Sequence, residues 1–522
     1  MKTPARAIVL RRRSVLPLAA AALLAPQVQA QSAPLTQPIV DALAQLDVLA
    51  QHALRRTGVP GMAIAVVHQD QIVYLKGFGI RQVGDPALVD EDRVFPLASL
   101  SKPIASTVVA ALAGDGVITW DDPLVQHDPG FQMHEPWVTT QVTLRDMFAH
   151  RSGLPDHAGD LLEDIGYDRD AILYRLRYQK PGSSFRSHYA YTNFGVTAAA
   201  VAAAKAAGKP WEEVAAERLY RRLGMQHTSS RFADYIASAN HVHGHVRQDG
   251  AWSAKYVRQP DAQSPAGGVT STARDMAAWL RLQLGPGRLD GVQIVQAAAL
   301  DDTHCPQIIR TPPSKDPAVE HASFYGLGWN VDYDEEGRVH WGHSGAFNLG
   351  AATCVSILPG ERLGIVVLTN AQPIGVPEAI CRSFFDAALA VPAQQDWLTL
   401  YGELFATAMA PDYRMPAKST LPVSPPLSLA AYAGHYTNDL FGPIEVAASA
   451  SGLLLRYSGT FGRFPLRSFD RDTFTYQPVG ENAFGPSAVT FTVGVEGTAT
   501  AMTVQSLNIN GQGTFSRTAS AG

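Results

Sequence analysis

The distribution of hydrophobic and polar positions divides the chain into stretches of different periodicity. Apolar residues recur every three or four positions in IVDALAQLDVLAQHALRR, which is the period of a helix with one buried face. The next stretch, GVPGMAIAVVHQDQIVYLKGFG, alternates on either side of the polar turn HQDQ at 68–71, which predicts a β-hairpin. Helical patterns then dominate from about residue 99 to 223. Strand patterns return in YGLGWNVDYD, GRVHWGHSG, GAATCVSILP and RLGIVVLTN.

A helical pattern, PEAICRSFFDAALA, ends this region near residue 390. The order of elements predicts an α+β domain over 31–390, with an antiparallel sheet flanked by helices and a long helical insertion between its first hairpin and its last strands. The segment 391–425 contains the proline-rich MAPDYRMPAKSTLPVSP and lacks periodicity, so we expect a linker. From 426 to 522, short alternating runs separated by Gly, Asn and Asp predict a small all-β domain.

The first 30 residues have the pattern of an export signal. Three arginines at 11–13 precede the apolar run VLPLAAAALLA, and small residues around Ala30 suit cleavage after that position. RRSVL resembles a twin-arginine signal, so both the twin-arginine and the Sec route stay open. The apolar run is too short to span a bilayer as a helix, which disfavours the alternative of a membrane anchor. We therefore expect a periplasmic or secreted protein without a stable membrane span.

Composition restricts the classes of partner. With 522 residues, of which 46% are hydrophobic, the chain can form two domains with large cores. The formal net charge is -5, and five basic residues lie in the first 30, so the remainder is more acidic and a nucleic-acid partner is not expected. The three cysteines match no zinc pattern. We expect three buried thiols, with a Cys354–Cys381 disulfide as the alternative. The oligomeric state stays open.

The strongest local signal for chemistry is FPLASLSKPIASTVVAALAGDG. Ser99 and Lys102 are three positions apart at the start of a predicted helix, so they share a face and an amine can approach a hydroxyl. A desolvated lysine loses affinity for its proton and can act as a base, while N–H groups at a helix start can stabilise an oxyanion. The structural alternative is an N-cap serine beside a solvated lysine. Pro103 also disfavours regular helical geometry at Lys102.

Two further motifs follow in order, YTN at 191–193 and HSG at 343–345. Together with SLSK and with VPGMAIAVV, VTLRDMFAHRSGLPDH, SPAGGVTSTARDMAAWL, YGLGWNV and LGIVVLTN, they give residues 40–390 a pattern that resembles the serine β-lactamase-like family. That family includes class C β-lactamases, penicillin-binding DD-peptidases, D-aminopeptidases and certain esterases. The resemblance implies a β-lactamase/transpeptidase-like fold. The C-terminal domain resembles small barrel-like modules that follow the catalytic domain in some peptidase relatives.

The resemblance also implies catalytic roles. Ser99 would be the acylated nucleophile and Lys102 its proton acceptor. Tyr191 would share the general-base work and pass a proton to the leaving group. The backbone N–H groups of Ser99 and Ala346 would form the oxyanion hole. This chemistry requires neither a metal nor a cofactor, because an acyl-enzyme divides a difficult hydrolysis into two easier steps.

Four residues are expected to contact the substrate: Asn193, which would hydrogen-bond the substrate's acyl amide, and His343, Ser344 and Gly345. The third motif departs from the pattern of class C β-lactamases and penicillin-binding enzymes, which usually have lysine where this chain has His343. Imidazole is largely neutral at pH 7, so the attraction for a substrate carboxylate is weakened. His-x-Gly occurs in family members that act as D-amino-acid peptidases, which favours a peptide or amide substrate.

The sequence therefore predicts an exported serine hydrolase of peptidase or amidase type, with specificity for a D-residue as one option. A carboxylesterase and a β-lactamase are alternatives, because the same acyl-enzyme chemistry serves esters and β-lactams. A further alternative is a non-hydrolytic penicillin-binding sensor that acylates slowly. The expected partner is a small peptide, amide or ester substrate.

Three other stretches offer competing interpretations. GHSGA at 342–346 resembles the nucleophile elbow of α/β-hydrolases, but strand-like residues follow where an elbow requires a helix. HVHGHV places His241, His243 and His245 on one side if extended, where they could bind zinc, although exposed strand histidines are the favoured interpretation. A second YTN at 436–438 opens the C-terminal domain, where we expect a packed tyrosine beside a turn.

Overall fold

The computed structural model describes residues 35–312, 321–392, 395–409, 415–417, 424–457 and 462–518. The predicted export signal at 1–30 and part of the predicted linker lie outside the described residues. Within those ranges, none of the helices combines the length and the apolar character that a membrane crossing requires.

An antiparallel eight-stranded sheet forms the centre of the larger domain, as predicted. Its strands run in the order β2-β1-β8-β7-β6-β5-β4-β3, so the first hairpin pairs with the last strand of the domain. The strands are β1 Gly61–His68, β2 Gln71–Gly79, β3 Ile308–Thr311, β4 Ser323–Tyr325, β5 Asn330–Tyr333, β6 Val339–Phe347, β7 Ala351–Leu358 and β8 Leu363–Thr369. The predicted hairpin is confirmed, because β1 and β2 are joined by the expected polar turn.

Helices cover both faces of this sheet. The six longest are α1 Gln37–Thr57, α2 Ser101–Gly114, α3 Asn193–Ala206, α4 Ala273–Leu284, α5 Val376–Ala388 and α6 Trp397–Ala408. All eight positions of β1 are buried, because its alternate side chains enter two different cores. Ala63 and Ala65 belong to the core with α2 and α4, whereas Met62 and Ile64 belong to the core with α1 and α5.

The helical insertion between β2 and β3 carries the first two sequence motifs. Besides α2, α3 and α4, it contains the short helices Leu124–His127, Pro136–Gln141, Leu144–Phe148, Asp160–Asp164, Arg169–Arg175, Trp211–Ala215, Arg221–Leu223, Phe232–Ala237, Ser264–Gly267 and Ala297–His304. It also contains 3₁₀ turns at Ala98–Leu100, Leu176–Tyr178 and Asp261–Gln263 and a π-helical turn at Ala216–Tyr220. Three two-stranded pairs complete it: Phe95–Pro96 with Thr270–Ser271, Val246–Gln248 with Ala251–Ser253, and Arg288–Leu289 with Val292–Gln293.

The C-terminal domain is a closed barrel of eight antiparallel strands, which confirms the all-β prediction. Its strands are β9 Gly434–Asn438, β10 Gly442–Ser449, β11 Gly452–Tyr457, β12 Arg463–Asp470, β13 Thr473–Tyr476, β14 Ser487–Val493, β15 Ala499–Val504 and β16 Thr514–Arg517, and β9 pairs with β16 to close the barrel. The helix Leu429–Tyr432 precedes it, and a 3₁₀ turn at Gln505–Leu507 follows β15. Tyr436 is buried in β9 and donates its hydroxyl to the Tyr432 carbonyl at 2.6 Å.

The segment predicted as a linker contains α6. This helix docks on the larger domain, because Trp397 Nε1 donates to Asp386 Oδ2 at 2.7 Å and Asp396 forms an ion pair with Arg56 at 2.6 Å. The expectation of three buried thiols is wrong for Cys305, which is exposed directly after the last residue of the helix Ala297–His304. Cys354 and Cys381 are buried, and all three cysteines are free.

The barrel contacts the insertion through a partly buried set of charged residues, here called the clasp: Glu163, Asp164, Arg258 and Glu481. Arg258 lies 2.6 Å from the Glu163 carboxylate and 3.7 Å from that of Glu481, which belongs to the loop between β13 and β14. Asp164 accepts the backbone N–H of Glu481 at 2.9 Å. Glu481 also accepts the backbone N–H of Asn348, which lies just beyond β6. The barrel is thus tied to the end of the strand that carries the third motif.

Candidate active site

Ser99 lies in the 3₁₀ turn Ala98–Leu100, immediately before α2. The preceding residue, Ala98, is buried and has a φ of 48°, a left-handed conformation that costs a non-glycine residue energy and is held by the surrounding packing. Pro103 falls in the first turn of α2, where its missing N–H is not needed for an intrahelical hydrogen bond. The change from 3₁₀ to α geometry therefore accommodates the proline next to Lys102.

Lys102 is completely buried, and its amine faces the nucleophile. Nζ lies 3.1 Å from Ser99 Oγ, 2.6 Å from Asn193 Oδ1 and 3.1 Å from the Ala266 carbonyl oxygen. Burial lowers the pKa of Lys102 to about 7, while the charge of Asp160 acts in the opposite direction. A large fraction of the amine is therefore neutral near pH 7, and the neutral amine has a lone pair that can accept the Ser99 proton.

Tyr191 is the second group that contacts the Ser99 hydroxyl. Its hydroxyl donates to Ser99 Oγ at 2.7 Å, and Lys102 Nζ lies 4.4 Å from the centre of its ring. Burial raises the pKa of Tyr191 well above its ordinary value, and the hydrogen bond to Ser99 offsets this only in part. Tyr191 is consequently a neutral phenol that can donate a proton beside an amine that can accept one.

Asn193, the last residue of the second motif, has both ends of its amide engaged within the protein. Oδ1 accepts from Lys102, and Nδ2 donates to Asp160 Oδ2 at 2.8 Å. The same carboxylate oxygen lies 2.8 Å from His157 Nδ1. Oδ1 keeps a second lone pair and Nδ2 a second hydrogen, so the predicted contact of Asn193 with a substrate amide stays a prediction.

The third motif supplies a neutral imidazole. His343 is buried on β6, with Nε2 at 2.9 Å from the Tyr325 hydroxyl and Nδ1 at 2.7 Å from the Ser344 carbonyl oxygen. The Ser344 carbonyl can only accept, so the ring proton resides on Nδ1 and the unprotonated Nε2 accepts from the Tyr325 hydroxyl. Burial and the charge of Lys102 lower the pKa of His343 to about 3. This position therefore provides no cation for a substrate carboxylate.

The remaining residues of this motif differ in their relation to the nucleophile. The Ser344 side chain faces Glu378 on the other side of the sheet, so the structure does not bring its hydroxyl to Ser99. At Gly345 a Cβ atom would lie 2.2 Å from the Leu97 carbonyl oxygen, so only glycine allows β6 to approach the Ser99 turn this closely. Ala346 follows on a stretch of β6 that β5 does not cover, because the last β5 pair is Asn330 with Gly342.

Two competing interpretations can be compared with the structure. GHSGA lies inside β6, a strand that continues to Phe347 and pairs with β7, so it does not form the strand-turn-helix of an elbow. The expectation of exposed strand histidines is wrong for His245, which is buried and accepts the Val83 N–H with its Nε2 at 3.0 Å. In the described ranges, no group of three or more His, Cys, Asp or Glu residues could hold a metal ion.

Asp160 and His157 were not singled out by the sequence. His157 is the last residue of the histidine-containing landmark VTLRDMFAHRSGLPDH, and Asp160 lies three positions after it. Their proximity to Lys102 depends on Asn193, and a contact between residues 33 positions apart leaves no periodic signal in a single chain. The neutral partner of His343, Tyr325, lies within the YGLGWNV landmark, but its contact likewise depends on the sheet register.

Known family models match both domains of this chain. A family model described as Beta-lactamase matches residues 46–383, and one described as a domain of unknown function (DUF3471) matches residues 418–516. The chain is similar to Unguisins hydrolase ungD of Aspergillus violaceofuscus, with 25% identity covering 76% of this chain and 75% of the relative. It is also similar to Beta-lactamase-like protein 2 of Dictyostelium discoideum, with 22% identity covering 81% and 76% of the respective chains.

A third relative is Protein flp of Staphylococcus aureus, with 22% identity over 65% of each chain. Among solved structures, the octameric penicillin-binding protein homologue from Pyrococcus abyssi has a TM-score of 0.57 at 17% identity, covering 88% of this chain and 98% of that one. At this identity the structural likeness concerns the fold alone.

Proposed function

Because the chain belongs to the Beta-lactamase family, whose family model matches residues 46–383, we propose that it forms an acyl-enzyme at Ser99 and hydrolyses a peptide or amide bond. The observation that carries the proposal is the convergence of two groups on Ser99 Oγ, with Lys102 Nζ at 3.1 Å and the Tyr191 hydroxyl at 2.7 Å. One of these groups can take a proton from the serine and the other can give one to a leaving group.

These residues and water account for every proton that moves in the proposed reaction. Neutral Lys102 takes the Ser99 proton while Oγ bonds to the substrate carbonyl carbon, and the N–H groups of Ser99 and Ala346 hold the oxyanion. As the carbonyl re-forms, the bond to the leaving group breaks and Tyr191 gives that group its proton. The Lys102 ammonium returns a proton to Tyr191. In the second half, water replaces the leaving group and the same proton transfers run in reverse.

One finding favours an amide-type substrate over a β-lactam. His343 is neutral, so the third motif lacks the fixed cation that would attract the carboxylate of a β-lactam or of a D-Ala-D-Ala terminus. The name of a relative of 25% identity, Unguisins hydrolase ungD, supports hydrolysis in general. Export, with cleavage after Ala30, belongs to the same proposal and rests on the N-terminal sequence pattern.

Turnover of four substrate classes tests the proposal: p-nitroanilides of D- and L-amino acids, p-nitrophenyl esters and a chromogenic β-lactam. We expect hydrolysis of at least one anilide series, abolished in Ser99→Ala and retained in Ser106→Ala. Ser106 is a suitable control because it lies on α2 and its buried hydroxyl has no partner among the described residues. Hydrolysis of esters alone would replace the amidase proposal by an esterase, and stoichiometric acylation without turnover would indicate a sensor.

A further inference from the structure

Asp160 is a buried carboxylate that the steps above do not use. It is the first residue of the short helix Asp160–Asp164. Its Oδ2 accepts from Asn193 Nδ2 and from His157 Nδ1, both at 2.8 Å, whereas Oδ1 has no hydrogen-bond partner among the described residues. Burying a carboxylate with one free oxygen costs energy unless nearby positive charge compensates. Asp160 therefore needs a compensating positive charge close to its position beside the reacting groups.

Asn193 connects this carboxylate to the reacting amine. A carboxylate only accepts hydrogen bonds, so the amide nitrogen of Asn193 must face Asp160 and its oxygen must face Lys102. The opposite orientation would place two oxygens against each other at Asp160 and an NH₂ group against the lysine. The charge of Asp160 thus determines which way the Asn193 amide points.

His157 completes the arrangement from the outer side. Its backbone N–H donates to the Tyr191 carbonyl at 2.7 Å, and its φ of 55° is a left-handed conformation. Burial acts to lower the pKa of His157, but its hydrogen bond to Asp160 and the charge of that carboxylate raise it to about 9. Because 53% of its side chain is exposed, the imidazolium is partly solvated while it compensates the buried carboxylate.

We propose that Asp160, held by His157, is a positioning residue that fixes the orientation of Asn193 and sets the electrostatic field at the amine that accepts the Ser99 proton. The inference rests on the proposed acyl-enzyme chemistry at Ser99. Asp160 acts through its hydrogen bond to Asn193 and through its charge, and His157 acts through Asp160 and through its own charge. Neither residue contacts the reacting atoms.

The charged groups around Lys102 determine in which direction a substitution of Asp160 or His157 shifts the pKa of Lys102. Its charge interacts with Asp160, His150, His157 and His343, and its amine lies over the ring of Tyr191. Burial lowers the pKa values of His150 and His343 and raises that of Tyr191, so these three are neutral near pH 7. Among the described residues, the charges that remain to act on Lys102 are the carboxylate of Asp160 and the imidazolium of His157, and the Asp156 carboxylate, 3.9 Å from His157 Nε2, favours that imidazolium.

Removing the charge of Asp160 and removing the charge of His157 should therefore shift the pKa of Lys102 in opposite directions. Asp160→Asn removes the negative charge that favours the ammonium form, so the pKa of Lys102 falls. His157→Gln leaves that negative charge uncompensated, so the pKa of Lys102 rises. Asp160→Asn also frees the Asn193 amide to rotate, which we expect to slow acylation on the order of tenfold at pH 8, where Lys102 is largely neutral.

The test measures the second-order rate of inactivation by a fluorophosphonate as a function of pH. This probe needs no knowledge of the substrate. In the wild-type protein the rate should rise with pH through about 7, where Lys102 loses its proton. The midpoint of that rise should lie at lower pH in Asp160→Asn and at higher pH in His157→Gln. Asp170→Asn, which removes an exposed carboxylate of the same insertion, is the control and should leave the midpoint unchanged.

A merely structural role would lower the rate without moving the midpoint. Midpoints that stay in place, or that move in the same direction in both variants, would overturn the inference. If Asp160→Asn does not fold, the direction of the His157→Gln midpoint decides alone. Labelling that persists in Ser99→Ala would instead refute the proposed function, so the two failures are distinguishable.

Discussion

At the scale of single residues, the environment of each side chain separates two copies of the same three letters. Tyr191 and Tyr436 both begin a YTN string, and Tyr191 is partly buried whereas Tyr436 is fully buried. The hydroxyl of Tyr191 points at Ser99 Oγ, whereas that of Tyr436 points at the Tyr432 carbonyl inside the barrel. The first is part of a proton-transfer site and the second satisfies a buried backbone group.

This difference predicts opposite behaviour of the two Tyr→Phe variants. Tyr191→Phe removes the proton donor and should reduce turnover on the order of a hundredfold or more, with little change in thermal stability. Tyr436→Phe should retain wild-type turnover and lose about 1 kcal/mol of stability, because the Tyr432 carbonyl loses its buried donor. Activity assays and thermal melts of both variants check this. A Tyr436→Phe protein with impaired turnover and a wild-type melt would contradict it.

At the scale of elements, the site depends on how closely β6 approaches the turn before α2. Thr353 on β7 donates its hydroxyl to the Leu97 carbonyl at 2.7 Å, and Gly345 leaves room for that carbonyl against β6. Two strands thus hold the turn that carries Ser99, β7 through the Thr353 hydrogen bond and β6 through the space left at Gly345.

Gly345→Ala should therefore displace the Ser99 turn. The new methyl group would lie 2.2 Å from the Leu97 carbonyl oxygen and 2.3 Å from Thr353 Oγ1, and one of the two elements must move. We expect a large loss of fluorophosphonate labelling and a lower melting temperature. Gly360→Ala, in the turn after β7 where a Cβ meets nothing within 4 Å, is the matched control. Equal labelling rates in the two variants would argue against a close approach.

The elements also show what a single sequence can reveal. Periodicity identified α1, the β1–β2 hairpin and the barrel strands, because each buries one face or two with a regular period. It did not separate α6 from the linker, since that helix is defined by its docking on α5 through Trp397. The three motifs were found by spacing and resemblance, whereas Asp160 and His157 were not, because their role arises from a three-dimensional contact with Asn193.

At the scale of the whole molecule, the clasp couples the barrel to the catalytic domain. It contains more acidic than basic side chains. Three carboxylates, those of Glu163, Asp164 and Glu481, share the single guanidinium of Arg258 within this set. Burial raises the pKa of Asp164 to about 6 and that of Glu481 to about 8, with Arg258 acting in the opposite direction on both. The folded protein therefore binds protons here more tightly than the unfolded chain does.

The clasp should consequently make stability depend on pH. A carboxyl group whose pKa is raised by folding stabilises the folded state below its unfolded value, and this contribution is lost as pH rises through the folded value. For Glu481 the loss should extend from about pH 4.5 to about pH 8. Glu481→Gln, which keeps a carbonyl acceptor for the Asn348 N–H, should flatten this slope and melt at a higher temperature than wild type at pH 9.

Thermal melts between pH 4 and 9 measure the effect. Glu496→Gln, at an exposed position of the barrel, should retain the wild-type slope. An unchanged slope in Glu481→Gln would show that this carboxyl group does not govern the stability of the interface.

The proposed chemistry requires Ser99 to be the residue that becomes acylated. Its most direct test is peptide mapping by mass spectrometry of the full-length protein after reaction with a fluorophosphonate. We predict one adduct per chain, located on the peptide that contains Ser99 and absent from Ser99→Ala. An adduct on the peptide that contains Ser344, or labelling of the Ser99→Ala protein at the wild-type rate, would contradict the account.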